Sequence, residues 1–210
     1  MYSKMRKRHN EKKWWVIAFL LSVSVPIVFG IISCDQAENN LPRKENKENR
    51  KTDPLFREMG IIQVPRIAPP VDFSLLNLNN KTVTLSDLKG KIVFLNFWTT
   101  WCGECRVEMP LMQKLYTRFK DKGFAMVAVS LNEPKSVVEK FFDDYKLTFT
   151  ALLDSKGELG IPFGIRGIPM TYILDREGGI IGKAIGARQW DSKESFALFE
   201  RLLKESDIEG

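Results

Sequence analysis

The chain is 210 residues long, 44% hydrophobic and 28% charged, which leaves room for one medium domain with accessory segments rather than two full domains, and for an ordinary globular core. Its formal net charge of +6 is gathered at the start, where residues 1–13 carry six Lys/Arg against one Glu; no basic stripe with interleaved aromatics follows, so nucleic acid is excluded as a partner. Three cysteines, at 34, 102 and 105, are too few for a disulfide-stapled scaffold, and a single histidine, His9 in the basic leader, excludes His-based catalysis in the domain, the usual Cys/His zinc arrangements and hence a metal site.

Residues 14–33 (WWVIAFLLSVSVPIVFGIIS) carry no charge. These twenty residues are enough to cross a bilayer as a helix, because the hydrocarbon core needs roughly 20. A buried core helix is the alternative, but this segment is apolar all round and opens on a basic cluster. Lys/Arg number six in residues 1–13 and three in residues 35–47, an asymmetry that puts the N-terminus inside the cell and the rest outside. Two fates fit the leader. The apolar run exceeds the roughly 7–15 residues of a signal core, which suits an uncleaved anchor. Ile31-Ile32-Ser33-Cys34, however, resembles the lipobox of bacterial lipoproteins, where the chain is cut before the cysteine and that cysteine, here Cys34, carries lipid. Either fate tethers the chain to the outer side of the bacterial cytoplasmic membrane. Residues 35 to 60 are polar and mixed in charge, too poor in apolar surface to order themselves. The expected organisation is therefore a signal or membrane anchor over 1–34, a flexible spacer over 35–63 and a folded domain over 64–210.

In the domain, Val71–Leu75 alternates like a strand, Asn77–Asn80 is turn chemistry, and Val83–Leu85 resumes an extended pattern. Ser86–Gly90 reads as a short helical turn stopped by glycine. Lys91–Trp98 (KIVFLNFW) is a nearly continuous apolar run, which suits a strand buried on both faces. From Cys105 the period changes: Met112, Leu115, Tyr116 and Phe119 recur at helical spacing. Phe124–Val129 is a second buried strand. Pro134 can open a helix with Val138, Phe141, Phe142 and Tyr145 on its apolar face, and Phe149–Leu153 is another strand. A short helix is expected around Glu158–Ile165. Met170–Leu174 and Ile180–Ile185, joined by Asp175–Gly179, read as a hairpin, and a last helix carries Phe196, Phe199 and Leu203. This order predicts an α/β sandwich with a central mixed sheet flanked by helices.

The chemistry concentrates at Trp101-Cys102-Gly103-Glu104-Cys105, where a central strand gives way to a helix. A thiol at a helix start has its thiolate favoured by the helix dipole and by free backbone N–H groups, so Cys102 is the better nucleophile. Cys105 lies one turn further in, within bonding reach of Cys102. Cys102 would attack a substrate disulfide and Cys105 would resolve the mixed disulfide; the reverse cycle is equally allowed. Zinc ribbons also use a CxxC, but a ribbon needs a second ligand pair and this chain has none. No cofactor is expected beyond the Cys102–Cys105 pair itself.

Over about residues 64–205 the chain resembles the thioredoxin superfamily and, within it, the extracytoplasmic TlpA/ResA-like branch. The residues that carry the likeness are Ala68-Pro69-Pro70-Val71-Asp72-Phe73, Leu85-Ser86-Asp87-Leu88-Lys89-Gly90-Lys91, Phe94-Leu95-Asn96-Phe97-Trp98, the Trp101–Cys105 motif and Gly167-Ile168-Pro169-Met170-Thr171. The resemblance implies a cis peptide before Pro169, packed against the disulfide, with Ile168 presenting its backbone to an extended substrate segment. An ordinary strand-start proline is the alternative. The resemblance also implies an acid close to the thiols able to relay protons to Cys105. Thioredoxins place a buried Asp on the preceding strand; here that position is Asn96, so the role falls on Glu108, whose alternative is a surface glutamate stabilising the first helical turns. Pro110 matches a kink-forming proline, Trp101 would shield the disulfide, and Trp98 would be core. Glu104 departs from the family, many of whose members carry Pro beside the second cysteine; an acid between the thiols disfavours the Cys102 thiolate and leaves the redox potential open.

The leader and the resemblance together imply a membrane-tethered thiol–disulfide oxidoreductase, expected as a monomer. It would reduce or exchange disulfides of extracytoplasmic proteins, with apocytochrome c as a substrate class, and take electrons from a membrane thiol protein. A reductant is favoured, because nothing resembles the oxidising CPHC motif of DsbA. The alternative is a non-enzymatic docking module that grips an extended partner beside Pro169. A peroxidase is disfavoured because the cysteines form a CxxC.

Overall fold

A computed structural model describes residues 53–205 of the chain. In chain order these form α1 (Pro54–Glu58), β1 (Ile62–Ile67), β2 (Ser74–Asn77), β3 (Thr82–Thr84), a 3₁₀ turn (Leu85–Leu88), β4 (Ile92–Trp98), α2 (Gly103–Phe119), β5 (Phe124–Leu131), α3 (Lys135–Tyr145), β6 (Thr150–Asp154), β7 (Met170–Leu174), β8 (Ile180–Ile185) and α4 (Lys193–Glu205). The apolar segment 14–33 and Cys34 lie outside the described residues. Among the described residues, no helix is long and apolar enough to cross a membrane.

The strands join in one mixed sheet, ordered β1-β8-β7-β4-β5-β6-β2-β3. β4, β5 and β6 run parallel; β7 pairs antiparallel with β4, and β8 with β7. β4 is buried at every position because both of its faces are covered. Its even positions Ile92, Phe94 and Trp98 face a cluster with Met109, Met112 and Leu115 of α2, Phe141 and Phe142 of α3, and Phe199 of α4. Its odd positions Val93, Leu95 and Phe97 face a second cluster with Phe73, Leu85, Leu159 and Phe163. Asn96 shares the even, helix-covered face. Strand alternation therefore points the strand's polar residue under α2.

Two expectations are corrected. Ordered elements already stand before Val64, where the folded domain was expected to start: α1 and the first residues of β1 lie within the stretch expected as spacer. A five-residue helix cannot hold itself in water, so α1 depends on docking. Asp53 caps it, accepting from Leu55 N at 2.9 Å, and ion-pairs with Arg201 of α4. Phe56, Met59 and Ile61 are buried. Phe56 lies so close over Gly182 of β8 that a Cβ there would meet its ring at 2.6 Å. Burying one such ring is worth about 1.5–3 kcal/mol, and the burial of Met59 and Ile61 together with the Asp53–Arg201 pair adds to it in holding the segment. The second correction is the helix expected around Glu158–Ile165, which is a series of turns. Gly157 and Gly164 take left-handed φ values of +68° and +61°. The Asp154 carboxylate accepts from the N–H groups of Glu158 and Leu159, both at 2.9 Å, which folds the segment back across the second face.

Candidate active site

β4 delivers the chain to Trp98, and the bend Thr99–Trp101 turns it into α2. Cys102 is the N-cap of α2, and its Sγ accepts from Cys105 N at 3.2 Å. The two cysteines are joined as a disulfide, their Cα atoms 5.3 Å apart. Cys102 is 8% exposed and Cys105 0%, so only the first sulfur can meet an incoming disulfide. As a thiolate, Cys102 would sit where the free N–H groups and the helix dipole favour negative charge.

Three neighbours frame the pair. The Ile168–Pro169 peptide is cis, and the Ile168 carbonyl oxygen lies 3.8 Å from Cys102 Sγ. Pro169 is buried and Ile168 is half-buried. Trp101 is 74% exposed beside the nucleophile, whereas Trp98 is fully buried against Phe141 and Phe142. The approach loop is pinned by Glu133, from the turn between β5 and α3. Its carboxylate accepts from Thr100 N at 3.0 Å, from Thr100 Oγ1 at 2.5 Å and from Ser130 Oγ at 2.6 Å. Arg106 adds a second hold, donating to the Thr100 carbonyl at 3.3 Å while its guanidinium lies 5.6 Å from the rings of Phe141 and Tyr145.

Glu108, three residues after Cys105, is on the same helix face and is fully buried rather than on the surface. Asn96 Nδ2 donates to its Oε1 at 3.0 Å; Trp190 Nε1 at 3.0 Å and Arg188 N at 3.3 Å donate to its Oε2. Burial pushes its pKa from 4.5 up to about 7, against the pull of these donors and of the Arg188 charge. A carboxyl so placed exchanges its proton near neutral pH, where a cysteine cycling between thiol and thiolate needs a partner. Asn96 also donates to Thr171 Oγ1 at 3.0 Å, linking the acid to β7 just beyond Pro169.

Sequence reasoning did not find Glu133, Arg188 or Trp190 as site residues. Their distance along the chain hides them. The one available signal was Trp190, an isolated large aromatic in a polar stretch, ARQWDSKES.

The AhpC/TSA family profile matches residues 66–183. Thiol-disulfide oxidoreductase ResA of Oceanobacillus iheyensis is 36% identical over 196 residues, covering 92% of this chain and 93% of the relative. ResA of Geobacillus kaustophilus is 39% identical over 126 residues, 60% of this chain and 71% of the relative. Among solved structures, StoA from Bacillus subtilis superposes with a TM-score of 0.54 at 32% identity, covering 62% of this chain and 98% of that one. A thioredoxin-family thiol:disulfide interchange protein from Chlorobium tepidum superposes at 0.56 with 28% identity, covering 68% and 98%. With its cysteine pair intact on this scaffold, the chain belongs to the AhpC/TSA family of thioredoxin-fold proteins and is an enzyme, a thiol–disulfide oxidoreductase of the ResA type.

Proposed function

We propose that this oxidoreductase works as a monomeric reductant of disulfides in extracytoplasmic proteins, held at the outer face of the cytoplasmic membrane by residues 1–34. Apocytochrome c cysteines before haem attachment are the substrate class that the family suggests. The observation that carries the chemistry is the pairing of a helix-capping Cys102 with a buried Glu108, of pKa about 7, one turn beyond Cys105.

The dithiol form begins the cycle. The Cys102 thiolate attacks one sulfur of the substrate disulfide; the other sulfur leaves as a thiolate and takes a proton. The mixed disulfide is seated by backbone pairing along Ile168. Glu108, as carboxylate, accepts the Cys105 proton, and the Cys105 thiolate attacks Cys102 Sγ. This releases the second substrate thiolate, which Glu108 can reprotonate. Two electrons pass to the substrate and the enzyme is left as the Cys102–Cys105 disulfide. A membrane thiol protein then returns two electrons by the reverse exchange.

Equilibration of the full chain with a glutathione redox buffer is expected to give a potential near that of thioredoxin, about −270 mV. A value near DsbA's about −120 mV would reverse the direction of flow. For the tether, Cys34→Ser is expected to abolish lipid labelling and cleavage of the leader while the chain stays in the membrane fraction. Unchanged processing would leave an uncleaved anchor as the tether.

A further inference from the structure

The loop between β8 and α4 supplies two of the three donors on Glu108, Arg188 N and Trp190 Nε1. Its first residue is tied to the cis-proline segment, with Gly186 N donating to Pro169 O at 2.8 Å. Its middle is held by a side chain. Arg188 Nη1 donates to Gly186 O at 3.2 Å and Ala187 O at 2.9 Å, and Nη2 reaches out to Gly60 O at 2.9 Å. Gly60 sits in the turn after α1 at φ +62°, and a Cβ there would come within 3.3 Å of Arg188 Nε. That turn is therefore shaped around the guanidinium. The far end of the loop is held by the same N-terminal segment, with Ser192 Oγ 3.4 Å from Met59 Sδ. The Trp190 indole packs edge-on against Phe94 with ring centroids 4.7 Å apart.

We propose that Arg188 is a positioning residue for proton transfer at Glu108: by tying the 186–190 loop to Gly60, it keeps the Arg188 and Trp190 N–H donors aimed at Oε2. The inference rests on the reading of Glu108 as the proton acceptor for Cys105. It also gives the segment 53–61 a part in catalysis, because α1 and its following turn form the abutment of the clamp. Planarity matters here. One guanidinium spans three carbonyls in two chain segments, which a lysine ammonium on a flexible stem cannot match.

The groups around Glu108 set the sign. Arg188 is the charged group acting on it; Asn96 of β4 and Trp190 are neutral donors, and Cys105 on α2 is held in the disulfide and carries no proton in the oxidised protein. Glu104 brings its Oε2 to the same corner: a Cβ on Gly186 would lie 3.6 Å from it and 3.8 Å from Arg188 Nη1. Burial is the largest influence on Glu108 and raises its pKa, while donors and cation favour the carboxylate; with that burial kept by α2 lying against β4, releasing the clamp makes Glu108 hold its proton more tightly.

The test is a carbon-13 NMR titration of the Glu side chains in the full-length oxidised protein in detergent micelles. The Glu108 signal is assigned by its loss in Glu108→Gln. Arg188→Ala is expected to raise the Glu108 midpoint by about one pH unit, a tenfold tighter hold on the proton. Arg188→Lys keeps the cation but not the fork and is expected to raise it by less. A folded Arg188→Ala protein that titrates at the wild-type midpoint would overturn the proposal. So would full restoration by lysine, since it would reduce Arg188 to a charge. If Arg188→Ala does not fold, Arg188→Lys decides alone: a raised midpoint supports the clamp and an unchanged one refutes it. Should Glu108→Gln leave the pH profile of exchange unaltered while Arg188→Ala still moves the titration, the proton-acceptor reading fails and the clamp stands.

Discussion

Cys102→Ser is expected to lower insulin-disulfide reduction by at least about 10³-fold, the scale on which loss of a catalytic nucleophile acts. Serine fits the N-cap as well as cysteine does, so the fold should survive and the loss should be chemical. Cys105→Ser should behave differently. Cys102 keeps its place at the helix start, 3.2 Å from the amide of residue 105, and still attacks. The mixed disulfide that forms cannot be resolved, because a serine hydroxyl stands where the resolving thiol, fully buried in the wild-type chain, was. Covalent adducts should therefore accumulate on Cys105→Ser and be absent from Cys102→Ser. Mass spectrometry of the trapped partners would identify the substrates. Adducts on Cys102→Ser instead would exchange the roles assigned to the two cysteines.

Glu108→Gln is expected to change two pH dependences at once. In the folded protein burial pushes the Glu108 carboxyl up to about 7, against 4.5 as the ordinary value. Between those limits the unfolded chain has released the proton that the folded chain still holds. Stability conferred by the protonated acid is thus complete below about 4.5 and is lost as pH rises towards about 7. The slope is about 1.4 kcal/mol per pH unit, and the full span is on the order of 3 kcal/mol. Glutamine is neutral throughout, so chemical denaturation of the variant from pH 4 to 8 should lose this part of the slope. Asn96 can turn its amide to meet the new side chain, since its Oδ1 has no hydrogen-bond partner among the described residues. Exchange activity should fall by about 10²-fold, the lower end of what a positioned acid–base contributes, and the limb of the rate profile near neutral pH should disappear. A variant that keeps that limb would remove Glu108 from the proton path.

How legible the molecule was in its sequence depended on the range of the interactions concerned. β4, α2 and the CxxC between them could be read from a dozen neighbouring residues, because strand burial and helix period are local patterns. The β7–β8 hairpin followed for the same reason. Readings failed where a distant partner decides. Asp53–Ile61 looked like spacer because its average polarity is high. Phe56 orders it only because Gly182, late in the chain, leaves a bare patch of β8 on which the ring can lie. Glu158–Ile165 had apolar residues for a helix, but Asp154 at its start and two left-handed glycines turned it back.

At the active site the division is the same. The sequence by itself pointed to the reacting atoms: two cysteines at a spacing that brings their sulfurs together, at a strand-to-helix junction, with no second cysteine pair beside them and the single histidine, His9, far off in the leader. Only the tertiary structure decided the state of the acid beside them. Glu108 has a raised pKa because α2 lays it against β4 out of water, and that pKa stops at about 7 because a loop 80 residues further along the chain returns with Arg188 and Trp190. Desolvation and hydrogen bonding depend on what surrounds a group in space, and a chain position alone does not carry that information.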